Sequence, residues 1–236
     1  MRLRPRTTWE GCDLGVCLLQ TCLRSVYRSH LPVALPLFAI CIATGGLAAW
    51  LPATLMWISK PWLDRTILFV LSRALFGEAT RAGDVWSAQR EVWWSQLLQT
   101  FTLRRLSASR SFTQPVAQLE RLTGSARRRR VRQLAARQRG VARGATQVFG
   151  SAELALVIGL LSLGLWLAPD RLELRSAVHR ADFINNLGWQ INVAYAAAIA
   201  FVEPFYVAAG FGMYINRRVE LEAWDIEQEF RRVFAP

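Results

Sequence analysis

Stretches with no charge alternate along this chain with stretches dense in arginine. Leu31 to Ile58 is uncharged throughout. About 20 apolar residues cross the hydrocarbon core of a bilayer, so this run predicts a spanning helix with length to spare. Pro32, Pro36 and Pro52 mark its ends, and Trp50 and Trp57 suit a membrane interface. Gly45-Gly46 in its middle fits a close helix–helix contact or the turn of a re-entrant hairpin; one continuous helix is the favoured reading. Ser59 to Glu78, "SKPWLDRTILFVLSRALFGE", has a shorter apolar stretch interrupted by Lys60, Asp64, Arg65 and Arg73. Charges at helix centre cost about 2.5–3.5 kcal/mol each on insertion scales. The segments flanking this hairpin are both basic, and putting both on one side of a membrane requires an even number of crossings. Ser59–Glu78 is therefore expected to return across, its charges near the ends or facing neighbours. Residues 144–169 hold one charge, Glu153, and "LALVIGLLSLGLWLAP" predicts a third span. Phe183 to Asn216 is uncharged except for Glu203 and predicts a fourth.

The polar segments carry their own patterns. Residues 7–28 read as an amphipathic helix, with Thr7 and Glu10 at capping-box spacing. Leu14, Leu18, Cys22 and Tyr27 fall near one face, ringed by Arg2, Arg4, Arg6, Arg24 and Arg28. Such a helix suits an anionic membrane surface or a seat on the protein's own bundle. Residues 79–150 hold fourteen Arg against Asp84, Glu91 and Glu120, a net of +11. Their most cationic part is "ARRRRVRQLAARQRGVAR", with Arg127, Arg128, Arg129, Arg130 and Arg132. Past Arg217-Arg218, five acids crowd what reads as a short helix, and Leu221, Trp224 and Phe230 form its apolar edge. This acidic tail is the natural partner of the basic loop. The loop after the third span, "DRLELRSAVHRAD", is neutral, as expected opposite strongly basic loops.

Composition sharpens this picture. Hydrophobic residues make up 53% of the 236, and the net charge of +12 is carried almost wholly by Arg, since Lys60 is the only lysine. A soluble protein this basic would suggest nucleic acid. Here no recognition motif accompanies the basic run, and anionic lipid is the simpler partner, at about 1 kcal/mol per basic residue near the surface. Nucleic acid is not an expected partner. The first apolar run starts at Leu31, too far in for a cleaved signal peptide.

Glu203, followed directly by Pro204, is the one feature that an apolar span does not need. Trp189 to Arg217 covers about 42 Å as a helix, matching a bilayer with its headgroups, and Glu203 lies 14 residues from each end. Pro204 removes a backbone donor and favours a kink. A carboxylate at that depth is costly unless protonated or paired. It either makes a structural bond across a helix interface, with Arg73 as a candidate partner, or serves a proton- or substrate-linked site. With no second acid expected to face it, a proton relay is thin.

Other chemistry finds no support. Cys12, Cys17, Cys22 and Cys41 form no Cys-x-x-Cys pair, and His30 and His179 stand far from ligand spacing. No Ser/His/Asp set, His-rich cluster or paired intramembrane aspartates are present. "TGGLAAW" and "GFGMY" lack the Lys and Ser/Thr of a phosphate loop and suit close helix packing instead. No enzyme, cofactor or metal site is expected.

The C-terminal pattern "EPFYVAAGFGMYINRRVELEAWDIEQEFRR" resembles the closing segment of a family of bacterial multi-pass membrane proteins similar to the glycerophosphoryl diester phosphodiesterase membrane domain. "SKPWLDRTILFVLSRALFGE" and "SFTQPVAQLERLTG" look closer to one proteobacterial inner-membrane subgroup. Its members tend to be encoded near MoxR-type AAA+ ATPases, von Willebrand factor A proteins and transglutaminase-like proteins. The resemblance implies a bacterial inner-membrane location and other membrane or ATPase components as partners. It supplies no catalytic residues.

The expected fold is therefore an all-α polytopic bundle of about four spans, with both termini cytoplasmic. An interfacial helix occupies 1–30, a transmembrane hairpin 31–78, a basic loop 79–150, a second hairpin 151–216 and an acidic tail 217–236. The expected function is a non-enzymatic scaffold, anchor or assembly partner in a membrane complex, bound to anionic membrane lipids. The alternative is a small transporter or channel subunit built around Glu203.

Overall fold

A computed structural model describes residues 7–78, 80–94, 109–136, 138–166 and 177–222. Within them the chain is all-α. Helix α1 spans Thr8–Ala43, α2 Leu51–Leu75, α3 Ala82–Ser87, α4 Arg110–Gln118, α5 Gly124–Leu134, α6 Arg139–Trp166 and α7 Ala177–Glu222. A π-helical turn, Arg90–Trp94, follows α3.

The first apolar run does not form one helix. A 3-10 turn at Thr44–Gly46 divides it. Two glycines in succession weaken a helix by roughly 1 kcal/mol each, Thr44 Oγ1 donates back to the Cys41 carbonyl at 2.6 Å, and Pro52 sits in the first turn of α2, where its missing N–H costs nothing. The turn reading of Gly45-Gly46 therefore replaces the continuous helix. Its upstream half fuses with the amphipathic lead, so no boundary falls at 30/31. Thr7 caps α1 by accepting from Glu10 N at 3.3 Å, and the helix then runs through Pro32 and Pro36, with one non-helical residue at Cys22. The downstream half fuses with the charged segment to make α2, the return arm of the hairpin.

The lead does not lie out on a surface either. It packs antiparallel against α7, seating small residue on small residue. A methyl added at Gly15 would sit 2.7 Å from the Ala208 carbonyl carbon, and one at Gly212 would sit 2.7 Å from Gly15 N. Tyr27 Oη, further along, donates to the Phe201 carbonyl at 3.1 Å. Helices in lipid gain little from hydrophobic contact, so close backbone approach through small residues is how they associate. α7 itself runs unbroken through Pro204. Its continuity to Glu222 carries the first acidic residues of the tail; Trp224 and the rest of the tail lie outside the described residues.

Among the described residues, three helices are long and apolar enough to cross a membrane: Thr8–Gly46, Arg139–Gly164 and Leu187–Glu222. This is a membrane protein. α2 has the length, about 37 Å, but carries the charges of its second half inside the bundle: Lys60, Asp64 and Arg65 are all buried. The apolar stretch of α6 is only 6% buried by protein, and Leu154, Ile158 and Leu163 face outward from it. Leu35 and Ile40 of α1 and Phe201 of α7 extend this exposed belt. At one end it is ringed by exposed Trp50, Trp166 and Trp189, the place where amphipathic rings meet headgroups. At the other end α3 packs against α1, and α4 and α5 form a polar lobe against α7. Gln114 and Gln118 of α4 donate to the Pro61 and Arg65 carbonyls of α2 at 3.1 and 2.8 Å, and Trp93 Nε1 donates to Thr66 Oγ1 at 3.0 Å.

The glycine seam gives a direct test. Gly15→Val and Gly212→Val should each cost about 1–3 kcal/mol or more, as overpacking does, because the obstructing atoms are backbone. Gly159→Ala, which meets nothing within 4 Å, should be neutral or mildly stabilising. Thermal unfolding in detergent, followed by size-exclusion recovery, reads both; equal behaviour of the two classes would remove the seam as the determinant of α1–α7 packing.

Candidate functional site

The interior of the bundle holds five ionisable groups that converge from four helices. α2 supplies Lys60 and Asp64, four residues apart and so on one helix face. α7 supplies Glu203, α6 supplies Glu153, and Arg110 opens α4. Lys60 Nζ lies 2.6 Å from Glu153 and 3.0 Å from Glu203. Arg110 Nη2 bonds Glu203 Oε1, and its Nε stands 3.1 Å from Asp64 Oδ2. That last contact is an ion pair off hydrogen-bond geometry, so neither Asp64 oxygen receives a hydrogen bond. Glu203 is 2% exposed and Asp64 fully buried.

Burying charges is expensive, several kcal/mol per ion after relaxation, and the mutual attraction offsets this only when the geometry is good. Here each cation bridges two carboxylates. Burial alone would lower the Arg110 guanidinium pKa, but Asp64 and Glu203 outweigh it and hold Arg110 above its ordinary value. Aromatic faces add to the hold: Lys60 lies 5.9 Å from the Tyr195 ring centroid and Arg110 5.3 Å from that of Tyr206. The Tyr206 hydroxyl also receives Ser111 N at 3.4 Å and shares a hydrogen bond with Thr146 at 3.2 Å, which joins α4, α6 and α7.

The cluster is not sealed. A cavity of about 610 Å³ opens between α2, α6 and α7. Lys60, Arg110, Glu153 and Glu203 line its charged end, and Trp57, Val157 and Ile191 are among its apolar walls. Its size falls in the range of about 300–1,000 Å³ that takes drug-sized ligands. On the α1 side His30 is fully buried, with neither ring nitrogen hydrogen-bonded. Among the described residues no His, Cys, Asp and Glu group has the arrangement of a metal site.

Residues singled out from the sequence divide three ways. Glu203 sits at the centre, and Pro204 is buried beside it. Arg73 is elsewhere: it pairs with Glu78 at 2.9 Å and its side chain is 40% exposed. It lies nine residues beyond Asp64, near the end of α2, so helix length alone keeps it from Glu203. The partners of Glu203 are Lys60 and Arg110 instead, and acids do face it, from α2 and α6. The spacing of Lys60 and Asp64 on an otherwise apolar helix was the available signal for two of them. Nothing in local sequence pointed to Arg110, one of fourteen Arg in its segment.

The basic loop also divides. Arg128, Arg129 and Arg132 are exposed on α5, and Arg127 is half-buried. Arg130 turns inward, pairing with Glu120 at 2.9 Å and with Glu222 of α7. Burial would lower its pKa, but hydrogen bonds to both carboxylates raise it. Glu120 also accepts from Tyr214 Oη at 2.8 Å. Basic loop and acidic tail therefore meet within the chain, at Arg130–Glu222. Comparison with protein-family models, curated proteins and solved structures gave no match, so geometry alone carries the functional reading.

Two tests follow from these pairings. Arg110→Met takes from Asp64 its ion-pair partner among the described residues, leaves Glu203 with Lys60, and should destabilise by about 3–5 kcal/mol, the cost of an orphaned buried charge. Arg110→Met with Asp64→Leu should recover part of that loss; strict additivity in a double-mutant cycle would argue against the pairing. On the surface, changing Arg128, Arg129 and Arg132 to Gln should lower the phosphatidylglycerol retained by the purified chain in native mass spectrometry, increasingly so at low salt. Arg130→Gln should instead lower thermal stability. Unchanged lipid retention in the triple variant would remove the lipid role of this face.

Proposed function

We propose that the chain is a small transporter or channel subunit of a bacterial inner membrane, with Glu203 as its working intramembrane carboxylate. One observation carries this reading: the charged cluster forms one end of a cavity large enough for a small ligand, rather than being packed over. Ionisable groups inside a membrane are costly, and they mark substrate or ion pathways by default. A cluster kept only for cohesion is better replaced by apolar side chains of similar volume, which is often neutral or stabilising. In this reading the polar lobe and both termini are cytoplasmic, in line with the positive charge of α5.

A second reading, a scaffold or assembly partner, is favoured by a different feature. The face of Arg128, Arg129 and Arg132 is open to anionic lipid or an acidic partner, and the outer side of α6 is left largely uncovered by the described residues. Other membrane or ATPase components would then dock on these surfaces.

An apolar carbodiimide separates the two. Dicyclohexylcarbodiimide enters from lipid and modifies carboxyl groups in their protonated form. With the full chain in vesicles it should form an adduct on Glu153 or Glu203, faster as pH falls, and Glu203→Gln should lose the Glu203 adduct while keeping the fold. If Asp64, Glu153 and Glu203 all stay unmodified while a water-soluble carbodiimide labels exposed Glu78, the cluster is sealed and the scaffold reading takes over.

A further inference from the structure

α6 packs along α7, and among the described residues it makes no comparable seam with α2. The cavity occupies the space between α6 and α2, and the Lys60–Glu153 pair bridges it. Both Glu153 oxygens bond the Lys60 ammonium, at 2.8 and 2.6 Å. The same ammonium stands 3.0 Å from Glu203, so Lys60 keeps a partner when Glu153 lets go. Both side chains line the cavity. The pair that joins the two helices is therefore also the part of the cluster that a ligand meets.

What can take the place of that pair follows from what each member would lose. A ligand with only an acidic group would bind Lys60 and leave Glu153 unpaired. A ligand with only an ammonium would take Glu153 and leave Lys60 with Glu203, which Arg110 also engages. Away from water an unpaired charge is costly, so both are disfavoured. A zwitterion returns to each side chain what it gives up: its acid accepts from Lys60, and its ammonium donates to Glu153. The ring of Tyr195, 5.9 Å from Lys60 Nζ, offers the ammonium an aromatic face as well. The rest of the wall is apolar, with Trp57 and Val157 among its members. Leu154 and Ile191 both line the cavity and are exposed on the outer belt, so the cavity borders the lipid side of the bundle.

We infer that the cavity between α2, α6 and α7 binds an amphipathic zwitterion, which opens the Lys60–Glu153 pair and takes its place. The acidic group of the ligand lies on Lys60, its ammonium on Glu153, and its apolar body along the wall toward lipid. This rests on the transport reading above and names its substrate class. No covalent bond forms or breaks: one ion pair opens, two form, and the ligand brings no net charge. The head of an ethanolamine lipid and a free amino acid with an apolar side chain share this chemistry.

Native mass spectrometry of the delipidated full chain reads the selectivity. Arg128, Arg129 and Arg132 are changed to Gln throughout, so that the surface face does not retain the anionic probe. The probes have matched chains: lysophosphatidylethanolamine as zwitterion, lysophosphatidylglycerol as anion and an alkylamine as cation. The zwitterion should be retained about tenfold more tightly than either of the others. Glu153→Gln leaves Lys60 open and removes the seat of the ammonium, so lysophosphatidylglycerol should move ahead. Lys60→Met should move the alkylamine ahead instead. A general fold defect does not invert an order of preference. Val157→Trp fills the cavity with both charges in place and should abolish zwitterion retention, which keeps the test decisive if a charge variant does not fold. Competition by free phenylalanine assigns the site to a solute; retention that phenylalanine leaves unchanged assigns it to a membrane lipid. Equal retention of the three probes, or a preference that survives both Glu153→Gln and Val157→Trp, would overturn the inference. If dicyclohexylcarbodiimide still labels Glu153 or Glu203, that result leaves the transport reading standing; absence of labelling defeats both.

Discussion

Glu203 is neutralised by two cations, and neither belongs to its own helix. Lys60 reaches it from α2 and Arg110 from α4. Inside a membrane a lone carboxylate has no water to turn to, so this requirement fixes how the other elements stand. α2 must bring its charged half against α7 rather than toward lipid. α4 must sit at the mouth of the bundle, so that its first residue enters the cluster. The polar lobe is thus attached to the membrane helices through the carboxylate itself, and the side-chain amides of Gln114 and Gln118, donating to carbonyls of α2, hold it at the right height.

Packing and electrostatics act at neighbouring levels of the same helix. Below Glu203, α7 carries Ala208 and Gly212, where α1 approaches until backbone meets backbone. Gly210, between them, closes in the same way on Ser111 of α4, the residue after Arg110. Shape therefore positions the cation, and the cation neutralises the acid. Lower still, Glu120, Arg130, Tyr214 and Glu222 make a second charged clasp between the lobe and α7. This clasp is partly exposed, and pairs of that kind contribute little each. The glycine seam and the buried cluster carry more of the specificity.

Periodicity and run length made the helical class and the apolar helices α6 and α7 legible, because these depend on local composition. Glu203 stood out for the same reason. The split at Gly45-Gly46 was less legible: an uncharged run reads the same whether it crosses once or folds back, and only the partner of each half decides. The charges of α2 looked like an argument against a span when counted along the chain. Lys60 and Asp64 share a face, and a shared face can be buried against an opposite charge that sequence distance hides. Arg110 lies 93 residues from Glu203, in a segment where every other arginine looks alike. Arg130 and its neighbours Arg128 and Arg129 show the same limit, since one turn of helix separates an internal clasp from an open surface.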